Sequence, residues 1–197
     1  MPKTVDINER RAALTEAASR LIARSGIEAA TMRDVAAEAG LTTGALTHYF
    51  ADKRDLLLHT FAASLERRRA LRVTRHPTDP RGALRATLEG ALPLDEDRRR
   101  HWMVTVAFCA HATGDDELAA AQRDAYREFR HHVADLVSLA HGIGRPSNQR
   151  VAERLIAAAD GIAVQALFDP ERWTPMRQRR MLTDLTSALL PTDASRA

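Results

Sequence analysis

Between Thr42 and Phe50 the chain reads TTGALTHYF, and only Leu46 and Phe50 in that stretch are large apolar groups. They stand four apart, so on a helix they share one side and can anchor the segment from behind. Thr42, Thr43, Gly44, Ala45, Thr47, His48 and Tyr49 are small, hydroxylated or hydrogen-bonding. His48 lies about 200° around the helix from Leu46 and points away from the anchored side. A helix enters a DNA major groove only if the side chains it presents are not too bulky, and this face meets that condition. Thr42 and Thr43, at the start of the helix, bring hydroxyl and backbone N–H groups together for phosphates. Gly44 and Ala45 let the backbone come close to the bases.

Other chemistries find less support. His131 and His132 are adjacent, so on a helix they diverge by about 100° and do not chelate together. No His-x-x-x-His or Cys-x-x-Cys pair exists, and no metal site or other cofactor is expected. Cys109 falls in an apolar stripe, where a structural thiol is the expected case. HGIG (141–144) lacks the full Gly-x-Gly-x-x-Gly pattern, and no nucleophile elbow or paired-carboxylate constellation stands out. A catalytic role is not expected.

The elements that position these residues read as helices throughout. β-branched and aromatic residues do not alternate, and no Asn-Gly or Asp-Gly pair stands between alternating stretches to mark a hairpin turn. Asp6 with Glu9 opens a first helix ended by Gly26. Thr31 with Asp34 opens a short second one stopped by Gly40, and a third covers roughly 43–49. Asp52 with Asp55 caps a fourth that runs to about Arg75. His76-Pro77-Thr78-Asp79-Pro80 is a linker. Beyond it, Pro80 begins a fifth helix, Asp95 a sixth and Asp115 a long seventh. An eighth covers about 148–168, and Thr174-Pro175 starts a ninth. The expectation is an all-α chain of about nine helices. Residues 1–52 form a helix-turn-helix domain, helix 53–75 links the domains, and 76–197 form a larger helical domain.

Composition bounds the setting. The 197 residues suffice for a sizeable core, one cysteine excludes an internal disulfide framework, and no apolar run is long enough to span a bilayer. The start lacks the apolar core of a secretory signal, so a cytoplasmic protein is expected. The formal charge of +3 tempts a nucleic-acid reading, yet basic and acidic residues cancel over 1–60. The excess sits at Arg67, Arg68, Arg69, Arg72 and Arg75 and at Arg177, Arg179 and Arg180. Arg67 to Arg69 are equally well read as a solvated face or as long-range attraction to DNA.

The stretch TMRDVAAEAGLTTGALTHYFADKRDLL (31–57) resembles the N-terminal signature of the TetR family of bacterial ligand-responsive transcriptional regulators. The resemblance rests on Thr31, Ala39-Gly40, Thr42 to Leu46, Tyr49-Phe50 and Lys53, in that order and spacing. It implies that Thr31 and Lys53 hold phosphates, that Thr42, His48 and Tyr49 also touch them, and that Arg33 makes a backbone or groove contact. Thr43, Gly44, Ala45 and Thr47 would then face base edges. Many members carry Tyr where this chain has Thr47, which removes one aromatic contact. Residues 93–119 and 160–182 resemble the C-terminal domain of the betaine-synthesis repressor subgroup. The implied partners are double-stranded operator DNA, a second copy of the chain and a small-molecule effector.

Two further residue sets follow from helix faces. Trp102, Val106 and Cys109 share one stripe of the sixth helix and Thr105 and Phe108 another, with Tyr126 and Phe129 on the seventh. A plain core is the simpler account of these side chains; lining of an apolar ligand pocket is the other. On the eighth and ninth helices, Ala158, Gly161, Ile162 and Gln165 with Leu182, Leu185 and Leu189 suit a two-fold four-helix bundle between subunits. The expected function is a homodimeric repressor released from a palindromic operator by the effector. A DNA-binding regulator controlled by a protein partner, and a helical enzyme, are the rival readings.

Overall fold

A computed structural model describes residues 7–70, 78–141 and 145–190. Among these, no strand occurs, and the elements are α1 (Ile7–Ser25), α2 (Met32–Glu38), α3 (Thr43–Leu46), α4 (Lys53–Ala70), α5 (Pro80–Gly90), α6 (Glu96–Ala112), α7 (Asp116–His141), α8 (Arg145–Phe168) and α9 (Pro175–Leu189). The expected Asp6 cap, Arg72, Arg75, the His76-Pro77 part of the linker and Gly142 to Gly144 lie outside the described residues.

Local sequence accounts for most helix starts. The Asp55 backbone N–H donates to Asp52 Oδ1 at 2.8 Å while the Ala51 N–H donates to Asp55 Oδ2 at 3.0 Å, a reciprocal capping box at the head of α4. Asp79 accepts from the Gly82 N–H at 2.9 Å, and its carboxylate lies where a Cβ on Gly82 would point, so a larger residue there would make the capping side chain shift. Thr174 caps α9, with Pro175 in its first turn. Gly26 and Gly40 follow α1 and α2 at φ +82° and +69°, the left-handed region in which only glycine is unstrained.

The chain folds as two compact units. One comprises Met1–Arg67 with Met103–Ala120, the other Arg68–Trp102 with Ala121–Ala197. The sequence places the division at the proline linker, with residues 1–52 as the first domain. The structure instead gathers the end of α6, the start of α7 and most of α4 around α1 to α3. The reason is packing: Phe108 stacks on Phe61 with ring centroids 4.8 Å apart, and both are buried.

In the first unit Leu14, Leu21 and Ile22 of α1 are buried, as are Val35, Leu46, Phe50 and Leu56, and α2 packs against both α1 and α3. In the second, α8 packs along α9, with α5 against both. Its core holds Leu84, Leu88, Val133, Leu155, Ile162 and Leu182. The Arg99 guanidinium donates to the carbonyls of Ala166 (3.1 Å) and Leu167 (2.9 Å), satisfying the C-terminal end of α8 with a cation.

Candidate nucleic-acid interface

Helix α3 is held by two side chains that vanish into the first unit: Leu46 has no exposed surface and Phe50 retains 1%. The edge of the Phe50 ring meets His59 at 5.4 Å, and His59 is itself fixed to Asp55 at 3.1 Å. Everything else on the segment faces out or stands half-buried. Thr42, Thr43, Gly44, Thr47 and His48 are exposed, and Ala45 and Tyr49 are partly so. The regular helix is one turn shorter than expected, ending at Leu46 rather than Tyr49. The chain tightens there: the Tyr49 N–H donates to the Leu46 carbonyl at 2.9 Å in place of the one four residues back.

Several of the hydroxyls have work within the fold. Thr42 Oγ1 accepts from the Ala45 N–H at 3.2 Å, and Thr31 Oγ1 accepts from the Asp34 N–H at 3.2 Å while donating to the Asp34 carboxylate. Each therefore caps its helix and still stands at the surface. Thr47 donates to the Gly44 carbonyl at 2.8 Å. This commits its only proton and leaves the methyl group and the oxygen lone pairs for an outside contact. At Gly44 an added Cβ would meet nothing within 4 Å. Among the described residues, no neighbour requires glycine there.

The turn angle is set from α1. Arg20 Nε bonds Glu38 Oε1 at 3.0 Å and Arg24 Nη2 bonds Glu38 Oε2 at 3.3 Å, tying α2 to α1. These two hydrogen bonds, with the Arg20 one dominant, hold the Glu38 carboxyl below its usual range. Arg33 is exposed on α2. Lys53, the first residue of α4, places its ammonium 3.3 Å from both the carbonyl and the carboxylate of Glu28. Arg54 is bound bidentately by Asp115 (3.1 Å) and by Glu117 (2.9 Å).

Residues 14–60 match the model of bacterial regulatory proteins of the tetR family, and residues 80–191 match the BetI-type transcriptional repressor C-terminal domain. The chain belongs to the TetR family of transcriptional regulators. It is 31% identical over 190 residues to the HTH-type transcriptional regulator PksA of Bacillus subtilis, covering 92% of this chain and 90% of that one. Among solved structures, a transcriptional regulator from Rhodococcus sp. Rha1 superposes with a TM-score of 0.83 at 30% identity, over 91% of this chain and 95% of that one. A transcriptional regulator from Saccharomonospora viridis, crystallised in complex with choline, superposes with a TM-score of 0.76 at 25% identity, over 90% and 95% of the two chains. As a TetR-family member the chain is a DNA-binding helix-turn-helix regulator. No helix among the described residues is long and apolar enough to cross a membrane.

In this TetR-family chain, the side chains expected from sequence to line a ligand pocket fall in both compact units. Thr105, Val106, Phe108 and Cys109 belong to the first unit, and Trp102, Tyr126 and Phe129 to the second. Phe108 is core against Phe61, and Cys109 is exposed rather than buried in an apolar stripe. An apolar composition all round a helix foretells burial, but the far side of α6 is covered only in part. Phe129 is core of the second unit. Trp102 and Tyr126 keep polar company: the indole N–H donates to the Ala91 carbonyl at 2.7 Å, and the Arg68 guanidinium lies 5.4 Å above the ring. Tyr126 donates to Asp160 Oδ2 at 2.8 Å.

The dimer set divides in the same way. Ile162 and Leu182 are buried in the core of their own unit. Leu185 and Leu189 pack partly against that core. Gly161 and Gln165 are exposed and Ala158 partly so; they flank Ala157, Val164 and Phe168, which form an exposed apolar stripe. An apolar helix face announces burial without saying by which chain.

Proposed function

We propose that this protein is a transcriptional repressor that binds a palindromic operator as a homodimer in the cytoplasm and leaves it when a small cationic effector binds. One observation carries the DNA reading: α3 is fastened through Leu46 and Phe50 while its small, hydroxylated side faces outward. On this reading Thr43, Gly44, Ala45 and Thr47 meet base edges. Thr31, Arg33, Thr42, His48, Tyr49 and Lys53 meet the backbone. Readout by Thr and Ala runs mainly through thymine methyl groups, so phosphates carry most of the affinity and salt weakens it steeply.

The effector reading rests on Trp102, Tyr126 and Asp160 of the second unit. The Trp102 ring, itself buried, already carries the Arg68 guanidinium on its face, and the Asp160 carboxyl feels the same cation, so this aromatic and acidic setting accepts a positive charge. The related regulator holding choline supports the same class. To drive release from 1:99 to 99:1, the effector must prefer the released state by about 5.5 kcal/mol.

The test is a gel-shift series on duplexes that the protein selects from a random pool. Lys53→Ala and Tyr49→Ala weaken binding by similar factors on every sequence, and Lys53→Ala lowers the salt slope by about one. Thr43 and Ala45 substitutions change which sequence is preferred. Unchanged binding by Lys53→Ala would overturn this docking.

A further inference from the structure

Glu28 lies in the turn after α1, and its position follows from its neighbour. Ile27 is buried at 5% exposure, so the next residue is thrown outward, and the Glu28 side chain is 80% exposed. An exposed glutamate normally ranges through solvent. This one is held at both oxygens: Oε2 lies 3.3 Å from Lys53 Nζ, and Oε1 lies 2.9 Å from His111 Nε2 in the last turn of α6. Lys53 donates to the Glu28 backbone carbonyl as well, at 3.3 Å. The hydrogen bond from Lys53, more than any other influence, keeps the Glu28 carboxyl below its ordinary value. The ammonium proposed above to grip a phosphate thus already grips a carboxylate.

A phosphate and a carboxylate compete for the same ammonium, because both offer anionic oxygens to its three donors. We propose that Glu28 is an intramolecular competitor of the DNA backbone for Lys53, an autoinhibitory contact that must open before the ammonium reaches a phosphate. The proposal rests on the reading of Lys53 as a phosphate contact. Two consequences follow. Affinity is lower than the phosphate contacts alone would give, and sequence preference is untouched, because neither Glu28 nor a phosphate carries base information. His111 holds the carboxylate from its other oxygen, which keeps Glu28 beside Lys53 instead of free to swing away.

The test measures binding of the full chain to a short, fluorescently labelled, mixed-sequence duplex, since phosphate contacts are independent of sequence. Parent, Glu28→Gln, Lys53→Met and the double variant are compared by anisotropy across a range of salt concentrations. Glu28→Gln is expected to tighten binding by about two- to fivefold at low salt, in keeping with an exposed and therefore weak ion pair, with the gain shrinking as salt rises. In the Lys53→Met background, Glu28→Gln is expected to change nothing. Equal tightening in both backgrounds would overturn the proposal, for Glu28 would then act only as a negative charge repelling DNA. If Lys53→Met weakens binding but Glu28→Gln leaves it unchanged, the competition is absent and the proposal fails. If Lys53→Met itself binds as tightly as the parent, the phosphate reading of Lys53 fails instead, and the competition proposed here fails with it.

Discussion

Asp160 sits on α8 where its surroundings oppose its charge. Burial pushes its carboxyl above the ordinary aspartate range, while the Tyr126 hydroxyl at 2.8 Å and the nearby Arg68 cation pull the other way and do not prevail. A carboxyl whose folded-state value is raised contributes stability that is fully present below about pH 4, where the unfolded chain is also protonated. That contribution is lost as pH rises through the folded-state value. Asp160→Asn removes the ionisation while leaving an acceptor for Tyr126. Its Tm is expected to equal or exceed that of the parent at neutral pH, and to vary less between acid and neutral solution. The same substitution separates stability from ligand binding. If the cluster takes a cation, calorimetric titration with choline gives heat with the parent and none with the stable variant. Undiminished choline binding by Asp160→Asn would remove this carboxylate from the effector site.

At the scale of single helices, capping chemistry is strong enough to test directly. In the box at the head of α4, Asp52 satisfies the Asp55 N–H, and Asp55 reaches back to the Ala51 N–H. Asp52→Ala is expected to cost about 1 kcal/mol in denaturant unfolding, whereas Asp52→Ser retains most of the stability. This kind of feature was legible in the sequence because donor and acceptor are three or four residues apart, and the α2, α5 and α9 starts were readable on the same grounds. Features joining distant residues were not. No pattern announces that Glu28 meets Lys53 and His111, 25 and 83 residues away, or that Arg54 meets Asp115. The helical stripe containing Phe108 showed that it would be buried, but not that Phe61 would cover it. The small, polar face of α3 was legible for a different reason: two buried anchors on a short helix leave the remaining positions outside.

For the whole molecule, α8 presents an apolar surface that the described residues leave exposed. Ala157, Gly161, Val164 and Phe168 recur at helical spacing and all are exposed, Phe168 at 78%; Met176 at the start of α9 is exposed to the same degree. Leaving large apolar side chains in water is unfavourable, and a second copy of the same helix, related by a two-fold axis, would cover them. Gly161 makes this testable without harming the subunit. A Cβ there meets nothing within 4 Å, and replacing glycine within a helix favours the helix by up to about 1 kcal/mol. Gly161→Arg should therefore keep its helical circular dichroism and thermal stability as a subunit, while a long cation at the centre of the stripe blocks close helix approach. Sedimentation at micromolar concentration is expected to find a dimer for the parent and a monomer for the variant. Operator affinity should fall with it, because a palindrome is read by two α3 segments only when the two subunits are joined. A variant that stays dimeric would move the interface away from this face of α8.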